Sequence, residues 1–136
     1  MSPFSELVRA YRISRGLTQK ELADLMGFGQ SLICAVERGG KYRAGPSPAF
    51  VRRFLSVANL PPDERAYVER AVLASKRVFV VPKGAQPHHY ELVQTLFRSA
   101  STLDPRVVRA VSLLLDVWHP ETAAPNVPAP AWAKAP

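Results

Sequence analysis

The stretch from residue 29 to residue 37, GQSLICAVE, places two uncharged polar side chains, Gln30 and Ser31, in front of a run of apolar residues. The carboxamide of Gln30 carries a donor and an acceptor side by side, which matches the N6 and N7 edge of adenine in the DNA major groove. Ser31 can hydrogen-bond to any base edge. Three basic residues follow, with the charge sign that phosphate attracts: Arg38, Lys41 and Arg43. These types and spacings offer base-edge hydrogen bonding flanked by contacts to phosphate.

Two short helices must position these side chains. Thr18 to Glu21 (TQKE) is a capping box, and apolar residues at helical spacing follow until Gly27. A second helix then begins near Gly29 or Gln30 and ends at Gly39-Gly40. Ala23 is small enough for two backbones to cross closely. The pattern predicts a helix-turn-helix.

The segment LTQKELADLMGFGQSLICAVERG resembles the lambda-repressor-like helix-turn-helix, also called the xenobiotic response element family of bacterial and phage regulators. The resemblance covers residues 4–60. It implies that the helix following Gly29 enters the major groove, while the helix following Thr18 crosses the phosphate backbone.

The resemblance also implies residue roles. Four positions match those that read bases: Gln30, Ser31, Cys34 and Ala35. Ala35 departs from the long polar side chain usual there, which leaves only an apolar contact with a thymine methyl group, and Cys34 stands where many relatives carry serine. The phosphate-binding set is Thr18, Gln19, Arg38, Lys41 and Arg43. Arg12 and Glu37 match an ion pair that braces the first helix against the third.

The sequence predicts an all-α fold, in which the resemblance implies a five-helix DNA-binding domain over residues 1–60. A helical dimerisation region over residues 61–118 and a disordered Pro/Ala-rich tail over residues 119–136 are expected to follow. Residues 77–82 are β-prone, which leaves one short strand as an alternative to coil there. The last helical segment is apolar on more than one face and therefore needs neighbours on two sides. Its main stripe is the predicted dimer interface: Val107, Val111, Leu114, Leu115 and Trp118.

Charge and composition narrow the class of partner. The net charge is +7, and residues 1–60 hold nine Lys/Arg against four Asp/Glu, whereas residues 61–136 hold nine against seven. An anionic partner is therefore expected, and double-stranded DNA fits the basic first half. No apolar run approaches a membrane span, so we expect a cytoplasmic protein with no membrane partner. His88 and His89 are adjacent and lack metal-ligand spacing, so we predict no metal and no cofactor, with a helix start as their role.

Two functions remain open. The first is a transcriptional regulator, most simply a homodimeric repressor that binds an inverted repeat. The second is an antitoxin or adaptor whose C-terminal half binds a protein partner, with DNA binding for autoregulation. An enzyme has little support, because no nucleophile, base or carboxylate pair is placed on neighbouring elements. Cys34 is the single cysteine, so no resolving thiol supports a redox switch in place of a serine-like role.

Overall fold

A computed structural model describes residues 1–39, 45–118 and 127–134. Among these residues the regular structure is entirely helical, which confirms the predicted fold class. The α-helices are α1 (Pro3–Ser14), α2 (Gln19–Met26), α3 (Gln30–Glu37), α4 (Pro48–Ala58), α5 (Pro62–Ala74), α6 (Pro87–Ser99) and α7 (Pro105–Trp118), and a 3₁₀-helix spans Ala131–Lys134. None of the described helices is long and apolar enough to cross a membrane.

Local signals account for most helix ends. Ser2 caps α1 by accepting a hydrogen bond from the Ser5 amide at 3.3 Å, and proline follows in the first turn. Gly27 ends α2 in the left-handed region with φ of 67°, where a side chain would be strained. Asn59 ends α4 in the same region, with φ of 44°. Asn tolerates this conformation better than most residues.

The chain divides into two compact units, residues 1–78 with 126–136 and residues 79–125, here called the first and second units. The core of the first unit gathers apolar residues from α1 to α5, with aromatic rings at its centre. Phe4 meets Phe50 and Phe54 edge-on, with ring centroids 6.1 and 5.8 Å apart. Edge-to-face contacts of this kind add to the stabilisation from burial.

The first unit extends beyond residue 60, the limit expected from the sequence. Val68 and Ala71 of α5 are buried in its core. The Ser75 hydroxyl, just past α5, accepts from the Phe4 amide at 2.9 Å and donates to the Ala71 carbonyl at 2.7 Å. Helix α5 is therefore the fifth helix of this domain, because its apolar face is needed to cover α1.

The C-terminal residues also differ from the expectation of a disordered tail. Residues 119–126 and 135–136 lie outside the described residues, but 127–134 pack on the first unit. The Trp132 ring meets Tyr11 edge-on at 5.6 Å, and its Nε1 donates to Glu64 at 2.8 Å. Arg70 donates to the Val127 carbonyl at 3.0 Å. One aromatic anchor and two hydrogen bonds order a segment whose composition suggests disorder.

The second unit contains α6 and α7, which residues without regular structure precede along the chain. Residues 76–82 adopt no regular structure, so the strand alternative is not realised within the described chain, where no neighbouring strand exists to pair with it. His88 and His89 lie at the start of α6, as expected, and His89 Nδ1 accepts from the Gln86 amide at 2.8 Å. No residue among 79–118 is buried.

Candidate nucleic-acid interface

Helices α2 and α3 form a tight helix-turn-helix. Ala23 is 1% exposed where the helices approach, and its carbonyl accepts from the Phe28 amide at 2.9 Å. The left-handed Gly27 reverses the chain between the two helices. Arg53 of α4 contacts the end of α2, where its Nε donates to the Met26 carbonyl at 2.9 Å. The angle between the helices is therefore held by packing and by a charged donor at the end of α2.

Helix α3 separates its buried and exposed residues cleanly. Ile33 and Val36 enter the core, whereas Gln30 and Ser31 at its N-terminal end are exposed to solvent. Cys34 and Ala35 are half-buried. Of the four predicted base-reading residues, the two polar ones are thus the most accessible. The α3 N-cap is Gly29, which offers no capping side chain, so no side chain caps the amides of the first turn.

A buried ion pair fixes α3 to the rest of the domain. Arg12 Nε donates to Glu37 Oε1 at 2.6 Å, and Arg12 Nη2 donates to Glu37 Oε2 at 3.0 Å. Arg12 Nη1 also donates to the Leu17 carbonyl at 2.9 Å. Glu37 is only 4% exposed. Hydrogen bonding to Glu37 raises the pKa of Arg12 above its ordinary value, against the opposing effect of burial. The two residues therefore form the brace that the resemblance implies.

The N-terminus of α2 is capped reciprocally. The Thr18 amide donates to Glu21 Oε2 at 2.7 Å, and the Thr18 hydroxyl accepts from the Glu21 amide at 3.2 Å. The hydrogen bond from the Thr18 backbone lowers the pKa of the Glu21 carboxyl. The capping box predicted from TQKE is present. Thr18 is exposed but already engaged in the cap, which places its hydroxyl at the helix end.

Gln19 has a contact that the sequence did not suggest. Its Nε2 donates to Glu37 Oε2 at 2.9 Å, which joins the start of α2 to the ion pair of α1 and α3. The second hydrogen of the same amide is a donor of the kind that a phosphate oxygen accepts. Gln19 therefore serves as a structural link, whatever it contacts outside the protein.

A basic cleft of about 220 Å³ adjoins this ion pair. Its lining residues are Met1, Arg9, Arg12, Gln19, Glu37 and Arg38. Glu37, the one acidic group among them, already accepts hydrogen bonds from Arg12 and Gln19. Arg9 and Arg38 are exposed. The positive charge of the cleft is therefore directed outward, beside the start of α2 and the end of α3.

Sequence reasoning missed three arginines with structural or electrostatic roles. Arg9 lines the basic cleft, Arg53 holds the end of α2, and Arg77 Nη2 donates to the Gly39 carbonyl at 3.0 Å. Arg9 and Arg53 lie on helices with a buried apolar face, which is the one signal that the sequence offered for them, and Arg77 lies beyond the end of α5 with no such signal. The predicted phosphate-binding residues Lys41 and Arg43 lie outside the described residues.

The predicted dimer residues belong to the second unit. Val111 is half-buried, while Val107, Leu114, Leu115 and Trp118 are exposed along α7. Within residues 1–39, 45–118 and 127–134, no cluster of His, Cys, Asp and Glu could hold a metal ion. The candidate site consists of the exposed N-terminal end of α3 and the basic cleft beside the end of that helix.

Residues 3–68 match a family model described as a helix-turn-helix domain. Together with the geometry of α2 and α3, this match shows that the first unit is a helix-turn-helix domain of the kind found in DNA-binding regulators. The lambda-repressor-like resemblance of residues 4–60 is consistent with that family. Comparisons with curated proteins and with solved structures gave no match.

Proposed function

We propose that the protein is a dimeric transcriptional repressor that binds an inverted-repeat operator in double-stranded DNA through the major groove and acts in the cytoplasm. The observation that carries this proposal is the exposure of Gln30 and Ser31 on a helix anchored by a buried ion pair. A rigid helix presenting polar groups at its N-terminal end is what major-groove reading requires.

Phosphate contacts would set the position of α3 on the duplex. The basic cleft and the N-terminus of α2 flank α3. Thr18, Gln19 and Arg38 are the described residues proposed for these contacts, and Lys41 and Arg43 would add charge from the following segment. Such contacts strengthen binding to any sequence and make it depend on salt concentration.

Dimerisation would supply the specificity that one helix lacks. Ala35 and Cys34 add little hydrogen bonding, so each α3 reads few base edges. Two copies on an inverted repeat double the number of contacts, with half-sites about 34–36 Å apart or at a multiple of that spacing. Val107, Val111, Leu114, Leu115 and Trp118 of α7 are the proposed interface. Occupying an operator is enough to block transcription, so repression is the simplest outcome.

The second candidate is an antitoxin or adaptor. The specific observation in its favour is the exposed apolar surface of the second unit, which a different protein could cover. A defined protein that copurifies with the full chain and leaves it when α7 is altered would favour this candidate over the homodimer.

The decisive experiment is selection of bound sites from random duplexes, followed by affinity measurements on variants. An enriched inverted repeat is expected. Gln30→Ala should lose about 1–3 kcal/mol of discrimination between this repeat and random DNA. Arg38→Ala should instead weaken binding to both the repeat and random DNA. It should also reduce the slope of log K against log salt concentration by about one. Unchanged discrimination after replacement of both Gln30 and Ser31 would reject the base-reading assignment.

A further inference from the structure

The second unit has no core of its own. None of its described residues is buried, although α6 and α7 are both amphipathic. The two helices make little contact with one another. The exposed large apolar side chains of this unit are Phe79, Val80, Tyr90, Leu92, Leu96, Phe97, Val107, Val108, Leu113, Leu114, Leu115, Val117 and Trp118.

Such an arrangement is unstable for a single chain in water. Helices of 13 and 14 residues lie near the length of about 12–15 residues below which isolated helices are marginal. Helical stability in proteins comes mainly from burying an apolar face. Exposed apolar side chains in this number are typical of an interface.

We propose that α6 and α7 fold only together with the same two helices of a second copy, as one shared helical bundle. This proposal deepens the dimer of the proposed function and rests on it. It adds α6 to the interface and makes folding of the second unit and dimerisation a single event. The second unit would then be half of a domain that two chains complete.

The two helices supply the faces that a bundle needs. On α6, Leu92 and Leu96 lie one turn apart, and Phe97 contacts Phe79 with ring centroids 6.4 Å apart. On α7, Leu114 belongs to the main stripe and Val117 lies beside it, and both are exposed. A helix in a four-helix bundle contacts two neighbours, which matches an α7 that is apolar on two sides.

A cavity in the second unit offers a place for the partner chain. It holds about 510 Å³ between residues 79–85 and the first turns of α6. Apolar residues dominate its wall, among them Phe79, Val81, Leu92 and Val93. Several apolar side chains of the second copy's α7 have the chemistry to occupy it together.

Charge and size favour a second copy as the occupant. Residues 79–118 hold four Lys/Arg (Lys83, Arg98, Arg106, Arg109) and three Asp/Glu (Glu91, Asp104, Asp116), so two copies repel each other little. An acidic or basic partner has no corresponding patch to recognise. Helices α6 and α7 expose eleven large apolar side chains, which suits the apolar centre of an interface of about 20–30 residues per side.

The test uses the full chain at a series of concentrations, with sedimentation equilibrium, circular dichroism and hydrogen exchange on the same samples. Dilution to the monomer should abolish amide protection in α6 and α7 and remove about a third of the helical signal, the share of helical residues in these two helices. Amides of the first-unit core in α1 to α5 should stay protected.

A matched pair of variants separates the interface from general surface effects. Leu114→Glu on α7 and Leu73→Glu on α5 both replace an exposed leucine, 71% and 58% exposed respectively. Leu114→Glu should give a monomer with unprotected α6 and α7 at concentrations where the parent chain is dimeric. Leu73→Glu should remain a dimer.

Three results would overturn the proposal. One is a monomer whose α6 and α7 stay protected, and another is a dimer that dissociates without loss of their protection. The third is a monomer with unprotected α6 and α7 at every concentration, which would point to a different protein as the occupant. Gln30→Ala should dimerise like the parent chain. If the parent chain forms this dimer but binds no DNA sequence specifically, the proposed DNA-binding function is rejected and the shared bundle is not.

Discussion

At the scale of single residues, Glu37 is the point where the three N-terminal helices meet. It lies on α3 and accepts hydrogen bonds from Arg12 of α1 and Gln19 of α2. A carboxylate as buried as this one is tolerated only with such partners, because the cost of removing it from water must be offset. The orientation of the proposed recognition helix thus depends on one charged group and its donors.

Removing one member of this pair should cost more than removing both. Arg12→Met leaves the Glu37 carboxylate buried without its main partner, so we expect a loss of about 3 kcal/mol in the free energy of unfolding. Adding Glu37→Met should cost less than the sum of the two single changes. Denaturant unfolding of the single and double variants measures this coupling. The exposed Arg9→Met is the control, with an expected change within about 0.5 kcal/mol. Additive losses from the two changes would contradict a direct interaction.

The capping box of α2 should make a pH-dependent contribution to the free energy of unfolding. The Thr18 backbone amide lowers the pKa of Glu21 below its ordinary value of 4.5, so the folded state favours the ionised carboxyl. Its stabilisation is therefore present above pH 4.5 and is lost as the pH falls through the folded-state pKa. The difference in unfolding free energy between the parent chain and Glu21→Gln, measured by denaturant titration, should shrink on acidification. A difference that is the same at neutral and acidic pH would exclude this source of stability.

At the scale of secondary-structure elements, the crossing of α2 and α3 should not tolerate extra volume. Ala23→Val adds two methyl groups at a position with 1% exposure, so we expect a loss of about 1–3 kcal/mol in stability and weaker operator binding. Ala49→Val, at an exposed position of α4, is the matched control and should change little. Denaturant unfolding and binding to the selected operator measure both effects. Unaltered stability of Ala23→Val would mean that the helices do not meet closely there.

The sequence predicted the elements better than the contacts between distant elements. The capping box at Thr18 and the stop at Gly27 are local signals, so α2 and the turn could be located without the structure. Arg53 and Arg77 donate to carbonyls 27 and 38 residues away. No local pattern encodes such contacts, because an arginine that binds a helix end has the same sequence surroundings as a solvated one. The Arg12–Glu37 pair was accessible only through family resemblance.

At the scale of the whole molecule, the first unit is assembled from both ends of the chain. Residues 127–134 return to α1 and α5, where Trp132 contacts Tyr11 and Glu64. The sequence failed here because the segment carries one large apolar residue among proline and alanine. Residues 127–134 are ordered by a surface that α1 and α5 form together. The predicted boundary at residue 60 placed α5 in a different region from α1.

Loss of the Trp132 anchor should destabilise the helix-turn-helix domain. Trp132→Ala removes the contact with Tyr11 and leaves Glu64 without the indole donor. We expect a loss of about 2 kcal/mol, below the 3–5 kcal/mol typical of a fully buried tryptophan, because Trp132 is half-buried. Hydrogen exchange of the amides in α1 and α5 reports the unfolding of the first unit and so measures this loss of stability. Trp118→Ala is the control and should leave these amides unchanged. Equal protection in both variants would show that the C-terminal segment contributes nothing.

The placement of the two tryptophans gives each unit its own optical probe. The chain holds two tryptophans, Trp132 beside Tyr11 in the first unit and Trp118 at the end of α7 in the second. With Trp118→Phe, the remaining indole emission follows the helix-turn-helix domain alone. With Trp132→Phe, it follows the second unit alone. Intrinsic fluorescence can thus follow structural changes in each unit separately during dilution or DNA binding, without any attached dye.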